Sequence, residues 1–359
     1  MPIDNAVVVV IGRRERWRAD GVGSVGFWRW EVLQAAPTGA SLVLIADIGG
    51  STSRFGLAVD GQRPQQVVVV SNATVSTLEA AITQYLARVG ARPTEAIFAV
   101  AGPINGDDVA LTNRSWRFNV PEMAALFGFR RLRVVNDFEA LAWALPGLTA
   151  ADIRLIGRGP EPGHGVKVVL GPGTGLGVAA LVPVAGAWRV IASEGGHVSF
   201  GPGPRTEQPV FDRLWDQYGP VSAEMVLSGA GLHRLYRAVN SGAELPDPET
   251  IVAMAKAGDP AACAAAGLFV RLLGRFAGDI ALTFKATGGV YIAGGVAAAL
   301  SSTLDDDEFR AAFESHPPHQ ALLAAIPTCL ITSPEPGLIG CATMAAQSND
   351  GPGIAASAR

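Results

Sequence analysis

The 359-residue chain is predicted to fold as an α/β protein built from two similar halves. Three observations support this prediction. Short apolar or β-branched runs alternate with amphipathic segments, as they do where helices cover a sheet. Two turns rich in glycine and hydroxyl groups, residues 47–54 and 171–177, each join a pair of such runs into a hairpin. The pattern of runs around the first turn begins again around the second, which indicates a duplication.

Composition narrows the class of protein. Hydrophobic residues make up 49% and charged residues 17% of the chain, which is typical of a well-buried globular protein long enough for two domains. The net charge of −4 and the lack of long basic runs argue against a nucleic-acid partner. The apolar run at residues 7–11 is too short for a membrane span and does not follow a basic segment as in a signal peptide. We therefore expect a cytoplasmic protein with no membrane partner.

The three cysteines also fit a reducing compartment. Cys263, Cys329 and Cys341 lie in apolar surroundings and form neither a CxxC pair nor a ligand cluster. They are interpreted as small core residues, and no structural zinc is predicted.

In the first half, the predicted order is three strands, then helix, strand, helix, strand. The strands are expected at residues 42–46, 55–59, 67–70, 96–100 and 132–135. The first helix is predicted to open with a capping box from Ser76 to Glu79, and the second to span residues 121–127.

The second half repeats this start and adds more helix. Strands are expected at residues 166–170, 178–182, 188–192 and 327–332, and residues 290–296 are expected to form a strand that runs into a glycine turn and a helix. A helical region covers about residues 207–238, a long helix about 260–287, and a last helix 337–347.

Residues 1–40 stand apart, because no core pattern begins before Ser41. Gly21, Gly23 and Gly26 match the dinucleotide pattern G-x-G-x-x-G, but an arginine-rich segment rather than a strand precedes them. The match is interpreted as accidental, and the segment as a variable or poorly ordered extension.

Asn136 and Asp137 follow an apolar strand directly, at the place where ligands gather in open α/β sheets. A carboxylate there can serve as a general base. Taken alone, Asp137 is more often the cap of the helix that starts at Phe138, and only the neighbouring motifs favour a catalytic role.

The two glycine-rich turns suit a phosphate chain held from both sides, since backbone N–H groups at glycines can approach an anion closely. Asp47 at the first turn could hold Mg²⁺ through water, while Ser51 and Thr174 offer hydroxyls to phosphate oxygens. No P-loop motif occurs in the sequence. Each turn alone would more often be an ordinary hairpin, but their repetition favours a nucleotide site.

A second polar group surrounds two adjacent glycines. Glu194 and His197 flank Gly195 and Gly196, so both side chains can face one polyhydroxyl ligand. Glu224 adds a further acceptor on a predicted helix, although alone it would be read as a solvated charge. No second His or Cys accompanies His197 at metal-ligand spacing, which favours a hydrogen-bonding role.

Together these motifs resemble those of bacterial glucokinases. The resemblance covers about residues 41–347, in matching order, and it rests on residues 47–50, 136–138, 173–177, 194–197 and 222–224. It implies an actin-like ATPase fold of the ribonuclease H-like, duplicated kind, with two domains around a central cleft and a homodimeric assembly. The related repressor/kinase group carries a cysteine-rich zinc motif after Glu-x-Gly-His, and this chain has none there.

The resemblance also implies residue roles and domain limits. Asp137 would be the catalytic base, and glucose would be bound by Asn136, Asp137, Glu194, His197 and Glu224. Mg²⁺ would lie near Asp47, and ATP would be held by Gly49, Gly50, Ser51, Gly173, Thr174, Gly175, Gly294 and Gly295. A small domain would span residues 41–147 plus 336–347 and a large domain residues 148–335, with a frayed tail at 348–359.

One departure concerns the first turn, which reads Gly-Gly-Ser-Thr-Ser-Arg where the resembled family commonly has Gly-Gly-Thr-Asn-Ala-Arg. The amide is lost at position 52 and a hydroxyl persists. The expected activity is phosphoryl transfer from ATP to the 6-hydroxyl of glucose. A kinase for another hexose or amino sugar, a catalytically silent sugar sensor and an actin-like assembly protein stay open as alternatives.

Overall fold

The computed structural model of the chain describes residues 9–16, 26–33, 42–59, 62–104, 106–112, 114–240, 246–304 and 307–348, the first two ranges as backbone only. Two sheets, of five and six strands, carry the two halves. Two further pairs of strands form small hairpins outside them.

The described residues of the first half form nine strands and three helices. They are β1 (Val9–Arg16), β2 (Gly26–Leu33), β3 (Leu42–Ile48), β4 (Thr52–Val59), β5 (Gln65–Ser71), α1 (Leu78–Val89), β6 (Glu95–Val100), β7 (Asp108–Ala110), β8 (Arg117–Asn119), α2 (Val120–Phe127), β9 (Arg131–Asn136) and α3 (Asp137–Ala144).

The second half contains six strands and ten helices in the described ranges. They are β10 (Ile153–Leu155), β11 (Lys167–Pro172), β12 (Leu176–Val184), β13 (Ala187–Ser193), α4 (Gln208–Tyr218), α5 (Ala223–Val226), α6 (Gly229–Val239), α7 (Pro248–Lys256), α8 (Pro260–Phe284), β14 (Gly289–Ile292), α9 (Gly295–Ala299), α10 (Ser301–Leu304), α11 (Asp307–Glu314), α12 (Gln320–Ala324), β15 (Thr328–Ile331) and α13 (Pro336–Ser348).

The two sheets share one topology. The first runs in the order β5-β4-β3-β6-β9, in which β3, β6 and β9 are parallel and β4 is antiparallel to both of its neighbours, β3 and β5. The second runs β13-β12-β11-β14-β15, with the same directions, and adds the antiparallel β10 at its edge. The duplicated α/β fold predicted from the sequence is confirmed, and it is consistent with the actin-like ATPase fold.

Helices α3 and α13 lie between the sheets. Trp143 of α3 and Leu338 of α13 share one buried cluster with Ile45 of the first sheet and Val169 of the second. An apolar layer that touches both sheets stabilises their relative position by removing a large area from water. The layer also brings the amino end of α3, where Asp137 lies, close to both glycine-rich turns.

Helix α8 is long and apolar enough to cross a membrane by length and composition alone. Two thirds of its most apolar window is buried inside the protein, where α8 packs against α6, α7 and α11. Asp259 caps its start by accepting from Ala262 N at 2.9 Å, and Pro260 occupies the first turn. We therefore describe α8 as the central helix of the larger core.

Three local predictions are wrong. The cap of α1 is Thr77 instead of Ser76, because Thr77 Oγ1 accepts from Ala80 N, whereas the Ser76 carbonyl accepts from Trp116 Nε1. The long helix ends at Phe284 instead of residue 287, since Lys285 has a left-handed φ of 49°. Cys263 is exposed near the start of α8, while Cys329 and Cys341 are buried as predicted.

Strands β1 and β2 pair with each other as an antiparallel hairpin that the sequence analysis did not anticipate. The chain after Gly26 is strand and not helix, so the glycine pattern there does not open a phosphate-binding helix. The rest of residues 1–41, and residues 349–359, lie outside the described residues. The proposed domain limits, including the extension and the tail, stay predictions.

Candidate active site

The first glycine-rich turn connects β3 to β4. Asp47 and Arg54 face each other across the hairpin, with 3.8 Å between Arg54 Nη1 and Asp47 Oδ2, and Gly49 N donates to Thr52 O at 3.1 Å. The Asp47 side chain is 22% exposed. Burial raises its pKa, and the Arg54 charge lowers it in part.

The second turn connects β11 to β12 at the same point of the repeated topology. Pro172 faces Leu176 across the strands, and Gly173 N donates to Gly175 O at 2.8 Å. The amino end of α6 closes on the turn, because Gly229 N donates to Gly173 O at 2.8 Å. The structure thus places Thr174 and its neighbouring glycines at the tip of a braced hairpin.

Asn136 ends β9 and caps α3. Its Oδ1 accepts from Phe138 N at 2.9 Å, and its Nδ2 donates to Gly102 O at 3.1 Å. Asp137 Oδ1 accepts from the same Phe138 N at 3.0 Å, so the capping role considered for Asp137 is shared with Asn136. The Asn136 carboxamide joins α3 to the loop after β6.

The Asp137 carboxylate lies in a partly buried position that favours its neutral form. Burial raises its pKa to about 6, and the negative charge of Asp47 acts in the same direction, against the hydrogen bond from Phe138 N. A carboxylate with such a pKa is ionised at neutral pH and still takes up a proton readily. This is the behaviour expected of a general base.

Phe138 connects the start of α3 to the second turn. A Cβ on Gly177 would lie 2.0 Å from the Phe138 ring, and one on Gly171 would lie 3.2 Å from it. Only glycine at 177 leaves room for the aromatic side chain. Asp137, the residue before Phe138, therefore lies beside the second hairpin.

Glu194, His197 and Glu224 are brought together, as predicted from the sequence. His197 Nε2 lies 3.9 Å from Glu194 Oε2, and His197 Nδ1 lies 4.0 Å from Glu224 Oε1. Glu224 also accepts from Leu176 N at 2.9 Å. A Cβ on Gly196 would lie 2.0 Å from Leu176 O, so the two glycines allow this segment to approach the second turn.

Gly294 and Gly295 follow β14 and open α9. Gly294 has a φ of 91°, and a Cβ there would lie 2.4 Å from Pro172 O. Gly295 faces open space. Gly294 therefore lies against the base of the second turn, while the contact of the pair with adenosine that the resemblance implied stays a prediction.

Two residues near the site escaped the sequence analysis. Gly102 follows β6 and binds Asn136, and the rule that ligands gather at strand ends could have found it. Asn72, at the end of β5, is buried and binds the first turn, but nothing in its surrounding sequence marks it.

A Mg²⁺ site was expected at Asp47. Among the described residues, no three His, Cys, Asp or Glu side chains converge as a metal-binding group. Mg²⁺ needs only one or two carboxylates when substrate phosphates and water complete its shell. Asp47, partly exposed at the first turn and close enough to Asp137 to raise its pKa, fits that requirement.

Two sheets of one topology, each with a glycine-rich turn, are the architecture of the actin-like ATPase class, to which sugar kinases belong. A sequence profile of the family described as Glucokinase matches residues 44–348. A glucokinase from Mesorhizobium japonicum is 42% identical over 312 residues, which cover 84% of this chain and 91% of the relative. The chain therefore belongs to the glucokinase family, whose activity is ATP-dependent phosphorylation of glucose.

Solved structures agree in fold. The crystal structure of a glucokinase from an Antarctic psychrotroph matches with a TM-score of 0.79 and 33% identity, over 86% of this chain and 99% of that one. A glucokinase of the ROK family from Streptomyces griseus, in complex with glucose and AMPPNP, matches with a TM-score of 0.58 over 86% of this chain and 100% of that one. Its identity of 21% shows the fold alone.

Proposed function

We propose that the chain transfers the γ-phosphoryl group of ATP to the 6-hydroxyl of D-glucose, with Asp137 as the base, giving glucose 6-phosphate and ADP. The observation that carries the proposal is the Asp137 carboxylate, with its pKa raised to about 6, beside two phosphate-type turns. Family membership and the ATP-analogue complex of the fold relative support the donor and the acceptor.

In the reaction, a lone pair of the glucose 6-oxygen forms the new bond to the γ-phosphorus as the bond to the ADP oxygen breaks. Asp137 accepts the hydroxyl proton as attack proceeds. Since the transition state is loose, the base need not be strong, and positioning supplies most of the catalysis. The hydrogen bonds of Asn136 to Phe138 N and Gly102 O hold the start of α3 in place for this step.

Glucose is assigned to the polar groups on both sides of Asp137. Asn136 and Asp137 contribute from the end of β9, and Glu194, His197 and Glu224 contribute from beside the second turn. Carboxylates accept from vicinal hydroxyls, while an imidazole can donate or accept, which suits a sugar.

The donor is assigned to the glycine-rich turns. The turns built by Gly49, Gly50, Gly173 and Gly175 hold the phosphates through N–H groups that are not bonded within the hairpins, such as those of Gly50 and Gly175, and through the hydroxyls of Ser51 and Thr174. Gly294 and Gly295 lie against the adenosine. Asp47 would hold Mg²⁺ through water. When bound, the ion neutralises charge on the phosphate oxygens.

We further propose a cytoplasmic homodimer acting in glycolysis. The three free cysteines support a reducing location, and the resemblance supports the dimer. Light scattering of the purified protein measures the dimer directly.

The test is a coupled assay of glucose phosphorylation. Asp137→Asn should lose kcat by about a hundredfold or more while glucose binding by calorimetry persists, because Asn keeps the shape but takes no proton. Glu139→Gln, two residues along α3, removes a charge paired with Arg133 at 3.1 Å and serves as the matched control. Asp137→Asn activity within a few-fold of wild type would refute the base assignment.

A panel of donors and sugars addresses the alternatives. ATP, ADP and polyphosphate are compared as donors, and mannose, fructose and glucosamine as acceptors. If another sugar has a higher kcat/KM than glucose, that sugar is the preferred acceptor. An inactive wild type that still binds glucose would favour the sugar sensor.

A further inference from the structure

We infer that Asn72, held by Ser53, is a positioning residue for the donor phosphates, because it fixes the backbone of the first turn. The inference rests on the proposed function, which assigns phosphate to that turn. Asn72 follows β5 directly, so it lies outside the turn in sequence. Both Asn72 and Ser53 are fully buried.

Asn72 binds three successive carbonyl groups of the turn. Its Nδ2 donates to Gly49 O at 2.8 Å and to Gly50 O at 3.1 Å, and its backbone N donates to Ser51 O at 2.9 Å. Ser53 Oγ donates to Asn72 Oδ1 at 2.7 Å, which orients the carboxamide so that its nitrogen faces the turn. Every polar atom of the Asn72 side chain is therefore used by the hairpin.

These bonds determine where the turn's N–H groups point. The peptide unit is planar and trans, so the N–H of Gly50 points opposite to the carbonyl of Gly49, and the N–H of Ser51 opposite to that of Gly50. With both carbonyls turned towards Asn72, both N–H groups point away from it. In the described part of the chain no group accepts from either. Successive free N–H groups of this kind form an anion-binding concavity.

Asn72 is itself anchored from a third segment. Arg114 Nη2 donates to the Asn72 carbonyl oxygen and to Val75 O, and the Arg114 guanidinium lies 4.3 Å from the centroid of the Trp116 ring. The turn has no amide at position 52, and the Asn72 amide binds its backbone from the end of the neighbouring strand β5. A buried amide is unfavourable when it has no hydrogen-bond partners. The Asn72 side chain therefore holds the first turn in the one geometry in which the amide is fully bonded.

The experiment compares Asn72→Asp and Ser53→Ala with Ile82→Val. Asp keeps the size of Asn but has no amide group that can donate to Gly49 O and Gly50 O at once, while Ser53→Ala removes the bond that orients the amide. Ile82 is fully buried in the cluster behind the same sheet, and its side chain cannot form the hydrogen bonds that hold the turn, so Ile82→Val controls for lost stability alone. The readouts are AMPPNP and glucose affinity by calorimetry, the two KM values, and the melting temperature.

Asn72→Asp should raise the Kd for AMPPNP and the KM for ATP by about tenfold or more, with the glucose Kd within about twofold of wild type. Ser53→Ala should shift the same constants less, and Ile82→Val should shift neither. Unchanged AMPPNP affinity in both turn variants, or equal weakening of AMPPNP and glucose, would overturn the inference. If Asn72→Asp does not fold, Ser53→Ala decides. Failure of the proposed function is a separate outcome, since an inactive wild type would show it before any variant is made.

Discussion

Ionisation of Asp137 is required for catalysis but lowers the stability of the folded protein. Its pKa in the folded protein is about 6, above the ordinary value of 3.8. The folded state therefore holds the proton more tightly than the unfolded state. The contribution of protonated Asp137 to the stability of the fold is fully present below about pH 4 and is lost as the pH rises through about 6. Ionising this carboxylate at neutral pH is unfavourable, and activity requires that ionised form.

We therefore predict that Asp137→Asn is more stable than wild type at pH 7 to 8, by up to about 2 kcal/mol, since a neutral amide avoids the burial of charge. At pH 4 the two proteins should have equal stability. Urea unfolding across this pH range measures the difference. The wild-type kcat/KM should also fall below about pH 6. A variant less stable than wild type at every pH would show that the carboxylate is needed for packing.

Gly196 tests the approach of the sugar cluster to the second turn. A Cβ at this position would lie 2.0 Å from the Leu176 carbonyl oxygen, which is backbone and cannot move aside. Gly196→Ala should displace the segment and weaken glucose binding by about tenfold or more. Gly201→Ala is the control, because a Cβ there has nothing within 4 Å. Calorimetry with glucose compares them, and equal affinities would contradict the proposed geometry.

At this scale the sequence predicted which residues meet but not how they are held. Glu194, His197 and Glu224 converge as expected, because two glycines and a strand end limit where they can lie. The hydrogen bond that Leu176 N donates to Glu224 joins residues that are 48 positions apart in the chain. The bonds from Asn72 to the first turn join residues that are 22 and 23 positions apart. No local pattern encodes such contacts.

At the scale of elements, the hairpin of β4 and β5 is tied to the second half by one ion pair. Arg63 donates two hydrogen bonds of 2.8 Å to the two oxygens of Asp152, which also accepts from Thr149 N and Oγ1. The Asp152 carbonyl accepts from Thr332 N and Ser333 N. Asp152 therefore connects two segments to the β4–β5 hairpin, the one that leads from α3 to β10 and the one that leads from β15 to α13.

Arg63→Ala should lower stability by about 1 kcal/mol, a modest value because the arginine is half exposed. The Arg63 guanidinium and the Thr149 donors hold the pKa of Asp152 below its usual range. This stabilisation is thus present above about pH 4 and is lost as pH falls through the lowered pKa. Arg271→Ala, which breaks a pair with Glu308 inside the second half, is the control and should change stability less. If urea unfolding shows that the two variants lose equal stability, the Arg63–Asp152 pair contributes no more than an ordinary surface ion pair.

Elements were predictable where one local signal dominates. Strands of both sheets came from apolar runs, and their order from the repeated turns. The cap of α1 was misplaced by one residue because Ser76 and Thr77 are adjacent and both can cap a helix, and only the structure shows that Thr77 Oγ1 accepts from Ala80 N. Short strands such as β10, which pairs only with β15 in the described chain, carry too few residues for a periodic pattern.

At the scale of the whole molecule, β1 and β2 form a separate two-stranded sheet, and the matched family begins at residue 44. Deleting residues 1–39 should therefore leave kcat and both KM values within about twofold. Steady-state kinetics of the truncated protein check this. Loss of soluble, active protein would show that the segment packs on the core.

The last prediction concerns closure of the two halves around glucose. Asn136 is bonded to Gly102 of the first half, whereas Glu194, His197 and Glu224 are attached to the second turn. A sugar that contacts both groups has more partners when they approach, so its differential affinity favours the closed state. Glucose without nucleotide should then reduce the radius of gyration in solution scattering.

One variant and two tryptophans make this test specific. Glu194 is 84% exposed, so Glu194→Gln should weaken glucose binding and compaction together without disturbing the fold. Trp143 is buried in the layer between the sheets, and Trp188 packs against that same layer from β13, so their fluorescence should change with saturable glucose dependence. Sorbitol at equal concentration controls for solvent effects. Superimposable scattering curves with and without saturating glucose, in samples where calorimetry shows binding, would mean that the cleft is preformed and that glucose binds without closure.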